Sequence, residues 1–343
     1  MAKTMHVAAD RSNDPTKTVL PAEVARGVFM QNPPSLQALK LMHLMIATAA
    51  GRMADETRHE IRLADIRQIE GMKNHDRASI TPLFTELSTT VLVHDDTEKK
   101  RVTIGGLLDE AVIDYREEIS GDLLVSWWFG RSFRRMALES NHWAILDRQT
   151  VFHLGSKYAV LLFQHVASLA PFEHVCSRTF STAEIRSLLG VTQGKLARFA
   201  DLNKWALKPA IAEINHLSRL TLTAASNKVG RTVASVTISW TEKASDKKAD
   251  AKAEMARHRV GREARRAGTV EQVAPIEATP AKGNFPGSGP IRHGEWGDIA
   301  RTYLPRPHPD LERVADAYRA WTQEKNIPRS IATFSGFCRG WKG

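Results

Sequence analysis

Residues 180–240 read FSTAEIRSLLGVTQGKLARFADLNKWALKPAIAEINHLSRLTLTAASNKVGRTVASVTISW, and this stretch decides the fold. Ser181 precedes Glu184 by three residues, the spacing of a capping box that starts a helix, and Gly190 ends that helix. A second helix follows, with apolar residues at the three- and four-residue spacing of a buried stripe: Phe199, Leu202, Ala206, Ala210, Ile214 and Leu217. Two runs of alternating apolar and polar residues then predict a pair of strands, joined by the basic loop SNKVGR. This order of elements predicts a winged helix.

The charge of the chain favours a polyanionic partner. Its 343 residues carry a net charge of +10 and give a pI of about 9.7, which is typical of proteins that bind nucleic acid. Within 192–232 the acidic residues are Asp201 and Glu213, against seven basic ones: Lys195, Arg198, Lys204, Lys208, Arg219, Lys228 and Arg231. Positive charge is therefore concentrated on the predicted winged helix, where DNA would lie.

The compartment is also indicated by composition. Two cysteines, Cys176 and Cys338, favour a reducing environment over a disulfide framework. No apolar run approaches the length of a membrane span, and the N-terminus lacks the core of a signal peptide. We therefore expect a soluble, cytoplasmic, DNA-associated protein without a membrane partner.

The N-terminal half predicts a second winged helix. Residues 36–115 repeat the order helix, helix, helix, wing, with a short helix over 63–71. Thr81 is predicted as an N-cap with Pro82 at the first helical position of the third helix. The run LLVSWWF over 123–129 predicts a further strand that closes the sheet of this domain.

The sequence divides into five segments of an α+β, mainly helical protein. Residues 1–18 are predicted to be mobile, 19–142 to form the first winged-helix domain and 143–242 the second. Residues 243–294 are charged, then rich in proline and glycine, and predict a disordered, flexible basic linker. Two apolar stripes within 295–343 predict a small C-terminal helical hairpin with a partner surface.

Region 143–240 resembles the RepA-type plasmid replication initiators, which have two winged-helix domains and bind iterons. Four ordered blocks carry the resemblance: LGSKYAVLLFQHV (154–166), TFSTAEIRSLLGV (179–191), LNKWALKPAIAEINHLS (202–218) and GRTVASVTISW (230–240). The resemblance implies binding of direct origin repeats in double-stranded DNA, opening of the nearby duplex and initiation of plasmid replication. It also implies host partners such as the replicative helicase and the chromosomal initiator, and monomer–dimer self-association with autorepression by the dimer. The first domain would serve dimerisation and remodelling with some DNA contact.

The resemblance also places the recognition helix at 198–216. The residues that it sets against DNA, together with the wing, are Lys195, Arg198, Asn203, Lys204, Lys208, Lys228 and Arg231. Arg198 and Asn203 are candidates for base contact, because arginine reads guanine and asparagine reads adenine in the major groove. The lysines at 204, 208 and 228 and the arginine at 231 are expected to contact phosphates. Pro209 lies inside the helix, so either the helix bends there or a new helix begins.

Each of these residue types also has a structural interpretation. Surface lysines and arginines are usually solvated, so any one of them is as consistent with a solvent role as with DNA contact. Asn215 is predicted to be structural at the helix end instead of a base reader. Trp127, Trp128 and Trp205 could stack on nucleic acid, but aromatic residues in strands and helix stripes are mostly core, so a core position is predicted for them. The basic segment 247–266 either folds on DNA or is a solvated tether.

Nothing in the sequence supports catalysis, a metal site, a cofactor or a small-molecule substrate. Gly190–Lys195 is one residue short of a phosphate-binding loop and follows a helix instead of a strand. The histidines form no HExxH pair, and no histidine pair accompanies a tyrosine as a nicking enzyme requires. Two alternatives remain open: a winged-helix transcriptional regulator without a replication role, and a nicking replication enzyme.

Overall fold

The computed structural model describes residues 3–31, 33–96, 99–116, 123–269 and 285–341. The chain forms two compact units, Met1–Gly268 and Thr269–Gly343. Within the described ranges, none of the helices combines the length and hydropathy required to cross a bilayer.

The first unit is a mixture of helices and small antiparallel sheets. Its described helices are α1 (Lys3–Asp10), α2 (Leu36–Ala49), α3 (Leu63–Ile66), α4 (Arg77–Ser88), α5 (Arg131–Glu139), α6 (Arg148–His153), α7 (Lys157–Leu169), α8 (Thr182–Leu188), α9 (Phe199–Leu202), α10 (Lys208–Leu217), α11 (Ser245–Ala256) and α12 (Arg262–Ala267). Its described strands are β1 (Lys17–Pro21), β2 (Val28–Gln31), β3 (His59–Arg62), β4 (Val91–Asp96), β5 (Arg101–Gly106), β6 (Leu108–Asp114), β7 (Leu124–Phe129), β8 (Trp143–Asp147), β9 (Ser177–Ser181), β10 (Leu220–Val229) and β11 (Thr232–Glu242). The strand orders in the sheets are β1-β8, β2-β4-β5, β3-β7-β6 and β10-β11-β9.

The first winged helix has the predicted order of helices α2, α3 and α4 followed by the hairpin β4–β5. The third helix begins earlier than predicted, at Arg77, and Pro82 lies inside it. Asp76 is the actual N-cap, because its carboxylate accepts from the Ser79 backbone N–H at 2.9 Å while the Ser79 hydroxyl accepts from the Asp76 N–H. Strand β7 does not close the sheet of the wing as predicted, because it is the central strand of a separate sheet, between β3 and β6.

The second winged helix follows the sequence closely. The Ser181 hydroxyl accepts from the Glu184 N–H at 3.2 Å, and the Glu184 carboxylate accepts from the Ser181 N–H at 2.7 Å. These hydrogen bonds hold the pKa of Glu184 below its ordinary value. Gly190 ends the helix at φ +61, where a Cβ would lie 2.8 Å from the Leu161 side chain, so only glycine fits without rearrangement.

Both winged helices share one core helix, α7. The Ser156 hydroxyl caps it, and every residue from Ala159 to Leu169 is buried. A helix that is buried all round must contact other elements on all sides. Accordingly α7 packs against α2 and β8, against the π-helical turn Glu23–Gly27, and against α10 of the second winged helix. The two winged helices therefore have a single continuous hydrophobic core.

The buried His165 of α7 makes stability depend on pH. Its side chain is 2% exposed, and burial, aided by Arg178 and Arg26, lowers its pKa to about 3. The unfolded histidine titrates near pH 6.5, so the unfolded chain binds more protons between pH 6.5 and 3. Lowering the pH from 6.5 to 5 should therefore reduce the free energy of unfolding by about 2 kcal/mol through this group. Urea unfolding of His165→Leu should show a shallower pH dependence; an unchanged slope would exclude His165 as its source.

The N-terminal segment is ordered, contrary to the predicted mobility of residues 1–18. In α1, Met5 and Ala8 are buried, and the Thr4 hydroxyl donates to the His142 carbonyl at 3.0 Å. Strand β1 pairs antiparallel with β8. The prediction was wrong for the described residues because these contacts are with residues some 130 positions away, which local composition cannot reveal.

The described part of the predicted linker 243–294 is also ordered up to residue 269; residues 270–284 lie outside the described ranges. Helices α11 and α12 are here called the clasp, and α11 packs against α10 and α6. Glu254, whose side chain is 6% exposed, lies 2.7 Å from Arg265 and 3.5 Å from His216 of α10. Arg262 of α12 donates to the His153 carbonyl at 3.2 Å. Some of the charges that suggested disorder are thus paired inside the fold, around Glu254.

Removing the Glu254 carboxylate should destabilise the first unit strongly. Glu254→Ala leaves Arg265, Arg262 and His216 without their acidic partner, so we expect the free energy of unfolding to fall by about 3 kcal/mol. Glu263→Ala is the matched control, because that carboxylate is 91% exposed and should contribute less than about 0.5 kcal/mol. Urea unfolding measures both; equal small losses would show that the clasp is not held by Glu254.

The second unit has its own aromatic core. Helices α13 (Glu295–Tyr303), α14 (Leu311–Glu324) and α15 (Ile331–Arg339) enclose the side chains of Phe285, Trp296, Tyr318 and Phe334. The ring centroids of Phe285 and Tyr318 are 4.8 Å apart, in an edge-on arrangement. The predicted C-terminal helices are therefore present, and α13 adds a third helix to the predicted hairpin.

Candidate nucleic-acid interface

The recognition helix is a composite of three pieces. Helix α9 continues through a π-helical turn, Asn203–Leu207, into α10, and the Lys208 N–H bonds to the Asn203 carbonyl. Pro209 lies in the first turn of α10, where its missing N–H costs little. The backbone stays helical from Phe199 to Leu217 and widens into the π-turn immediately before Pro209, so the proline does not start a new helix.

The outward side of this helix carries both charge and an aromatic ring. Lys204, Trp205 and Lys208 are exposed, with Trp205 at 60%. The Lys204 ammonium lies 4.6 Å from the Trp205 ring, a cation–π distance. The prediction that Trp205 lies in the core is wrong, because the ring lies outside the buried stripe formed by Leu202, Ala206 and Ala210. Trp127 is fully buried, as predicted, and Trp128 is half-buried.

Two lysines lie near each other beside the recognition helix: Lys195 in the turn that precedes it and Lys157 at the start of α7. Lys195 is exposed, and Arg186 holds this turn by donating to the carbonyls of Lys195 and Leu196. Lys157 lies close enough to Lys195 to lower its own pKa, after burial as the larger cause. Lys157 was not among the predicted contact residues. Its place directly after the capping Ser156 shows from the sequence that it lies in the first turn of α7.

Arg198 and Asn203, the two residues predicted to contact base edges, differ in how far their side chains are exposed. Arg198 is the N-cap residue of α9, its side chain is 82% exposed, and its Nε lies 2.9 Å from an Asp201 carboxylate oxygen. An exposed pair of this kind is weak because solvent screens it, so DNA can displace Asp201. Asn203 is half-buried at the start of the π-turn.

The wing is a long hairpin with cations at its tip. Strands β10 and β11 pair from Leu220↔Glu242 to Val229↔Thr232, so Gly230 and Arg231 form a two-residue turn. Gly230 has φ +61, as the first central position of such a hairpin turn requires. Lys228 and Arg231 are exposed, and neither has a carboxylate within salt-bridge distance in the described part of the chain.

The corresponding hairpin of the first winged helix differs in electrostatics. Lys99 and Arg101 both contact Glu139, at 3.3 Å and 2.8 Å. These contacts lower the pKa of Glu139. Because Lys99 and Arg101 are already paired, the hairpin β4–β5 presents less free positive charge than the wing of the second domain.

Asn215 has the structural role that the sequence predicts. Its amide donates to the Leu222 carbonyl at 2.9 Å, and its side-chain oxygen accepts from the Leu222 N–H at 2.6 Å. These two hydrogen bonds join the end of α10 to β10. The recognition helix and the wing are therefore held in a fixed relation.

Two family models match the chain. The model of "Initiator Replication protein, WH1" matches residues 28–167, and that of "Initiator Rep protein, WH2" matches residues 181–240. Together they cover more than half of the 343 residues. The chain belongs to this family of replication initiators. The second match begins at the Ser181 cap of α8 and ends at Trp240, so it contains the initiator's recognition helix and all of the wing except the last two residues of β11.

The initiator also resembles solved structures in fold. The crystal structure of the Pi initiator protein in complex with iteron DNA is 15% identical, with a TM-score of 0.50, over 67% of this chain and 99% of that one. A structure of domains 2 and 3 of RctB is 14% identical, with a TM-score of 0.38, over 61% and 82%. A comparison with curated protein sequences gives no match. The predicted family and the two winged-helix domains are confirmed, whereas the seven contact residues stay predictions.

Alanine variants of Asn215 and Asn203 should distinguish a residue that stabilises the fold from one that contacts DNA. Asn215→Ala leaves the Leu222 N–H without its acceptor, so the free energy of unfolding should fall by about 2 kcal/mol. Asn203→Ala should leave stability nearly unchanged while weakening binding to specific DNA by about 1–3 kcal/mol. Urea unfolding and titration with labelled duplexes measure the two effects. Loss of stability in Asn203→Ala would make that residue structural.

Proposed function

We propose that this initiator binds the direct repeats, or iterons, of a plasmid origin as double-stranded DNA and thereby starts replication. The observation that carries the proposal is the arrangement in WH2 of an exposed recognition helix and a wing whose cations are free. Lys204, Lys208, Lys228 and Arg231 are all exposed in the domain that matches the initiator model. The Pi initiator, similar in fold, was crystallised with iteron DNA.

Within this proposal the second winged helix reads the repeat. Arg198 and Asn203 contact base edges, while Lys195, Lys204 and Lys208 contact phosphates from the recognition side. Lys157 adds a further phosphate contact, because it lies near Lys195 at the start of α7. Lys228 and Arg231 follow the backbone beside the groove.

The first winged helix serves self-association and remodelling of the origin. Strand β5 is an edge of its sheet, and it exposes Val102 at 56% and Ile104 at 66%. An exposed apolar edge strand can pair with another chain, which supports a dimer that represses its own gene. The second unit, with its separate core, is available for host proteins such as the replicative helicase and the chromosomal initiator. The initiator itself acts in the cytoplasm without catalysis, cofactor or metal.

The test is selection of bound fragments from the source replicon by the full-length protein at roughly physiological salt, where non-specific binding is weak. Enrichment of one locus with several repeats in the same direction is the expected result. Isolated inverted repeats would instead indicate a transcriptional regulator. Metal-dependent cleavage of the enriched DNA would indicate a nicking enzyme, and no enrichment would exclude sequence-specific binding altogether.

The wing should contribute to the salt dependence of binding. Each phosphate contact releases counterions, so the slope of log K against log salt should fall by about 2 in Lys228→Ala/Arg231→Ala. Arg11→Ala/Arg52→Ala is the matched control, since it removes the same charge from residues already paired with Asp14 and Asp55. Fluorescence anisotropy at several salt concentrations gives the slopes. Equal slopes in the two double variants would place the wing outside the interface.

A further inference from the structure

Trp205 is the exposed tryptophan of this chain. All eight tryptophans fall within the described residues, and the other seven are buried or half-buried. Trp205 is 60% exposed and lies in the middle of the recognition helix. An indole that faces solvent at this place forgoes the burial that a core position would give it.

The backbone departs from regular geometry at this ring. Trp205 lies within the π-turn and five residues before the buried Ala210, on the outward side of the helix. Ala206 and Leu207, which follow it in the turn, are on the buried side. Single π-turns inside helices are rare and often lie at functional sites.

The surroundings of the ring suit one kind of surface. Lys204 lies 4.6 Å from the ring and fixes it by a cation–π contact, and Lys208 follows one turn later on the same side. The Trp205 indole, with a lysine on either side, is complementary to an apolar group of DNA that lies between two phosphates. The major groove offers such a group in the 5-methyl of thymine.

We propose that Trp205 is a specificity-determining residue whose indole packs against the 5-methyl group of thymine in the major groove of the repeat. Lys204 and Lys208 then contact the phosphates on either side. The inference rests on the proposed function, because it requires a duplex repeat bound by the recognition helix. It differs from the predicted hydrogen-bond readout by Arg198 and Asn203, since it reads a methyl group by apolar contact.

The test replaces thymine by uracil, which removes the 5-methyl group and leaves base pairing intact. Duplexes of the selected repeat, each with one uracil in place of one thymine, are titrated with full-length wild type, Trp205→Ala, Trp205→Gln and Val229→Ala. Val229→Ala is the matched control, because Val229 is 74% exposed on the wing. Thermal unfolding confirms that each variant is folded.

We expect one or two uracil positions to weaken wild-type binding by three- to tenfold, as loss of one buried methyl group predicts. In Trp205→Ala and Trp205→Gln the same uracils should have no further effect, although both variants bind unmodified DNA more weakly. Val229→Ala should keep the uracil effect. The proposal is overturned if wild type ignores every uracil, or if the sensitivity persists without Trp205. If wild type binds no specific duplex at all, the proposed function fails as well, so the two failures are distinguishable.

Discussion

The burial of α7 on all sides is the constraint on which the rest of the first unit depends. Its residues from Ala159 to Leu169 are all buried, so the elements around it must cover every face at once. The first winged helix supplies α2 and the turn at Glu23–Gly27, and the second supplies α10. Neither winged helix can therefore cover α7 alone, and the two winged helices of the initiator share this helix as a common support.

Local signals in the sequence were sufficient for much of this fold. The Ser181–Glu184 capping box, the stop at Gly190 and the alternation in β10 and β11 depend on neighbouring residues, which is why they could be predicted. The family resemblance supplied the DNA-binding role, and the placement of cations on the outward side of the helix agrees with it. The start of α4 was missed because Asp76 and Thr81 are both acceptable caps, and only the Ser79 contacts distinguish them.

Features that depend on distant partners could not be predicted. The basic composition of the clasp resembles that of a disordered tether, yet Glu254 contacts Arg265 and Arg262 of α12 and His216 of α10. The outward position of Trp205 is different in kind: the stripe of Leu202, Ala206 and Ala210 omits it, and only the general preference of tryptophan for burial assigned it to the core. At the candidate site, sequence reasoning therefore identified the charges correctly as exposed and misplaced the aromatic ring.

The π-turn also provides a route by which the surface of this helix can change. A π-turn is equivalent to one residue inserted in a regular helix, and the wider turn absorbs that residue without rotating the helices on either side of it. Loss of a single codon within Asn203–Leu207 would therefore restore a regular helix and leave α9 and α10 in nearly the same register. The side chains exposed at the turn would change, while the core contacts of Ala210, Ile214 and Leu217 stayed in place. One small deletion is thus a short mutational path to a different outward surface on an unchanged core.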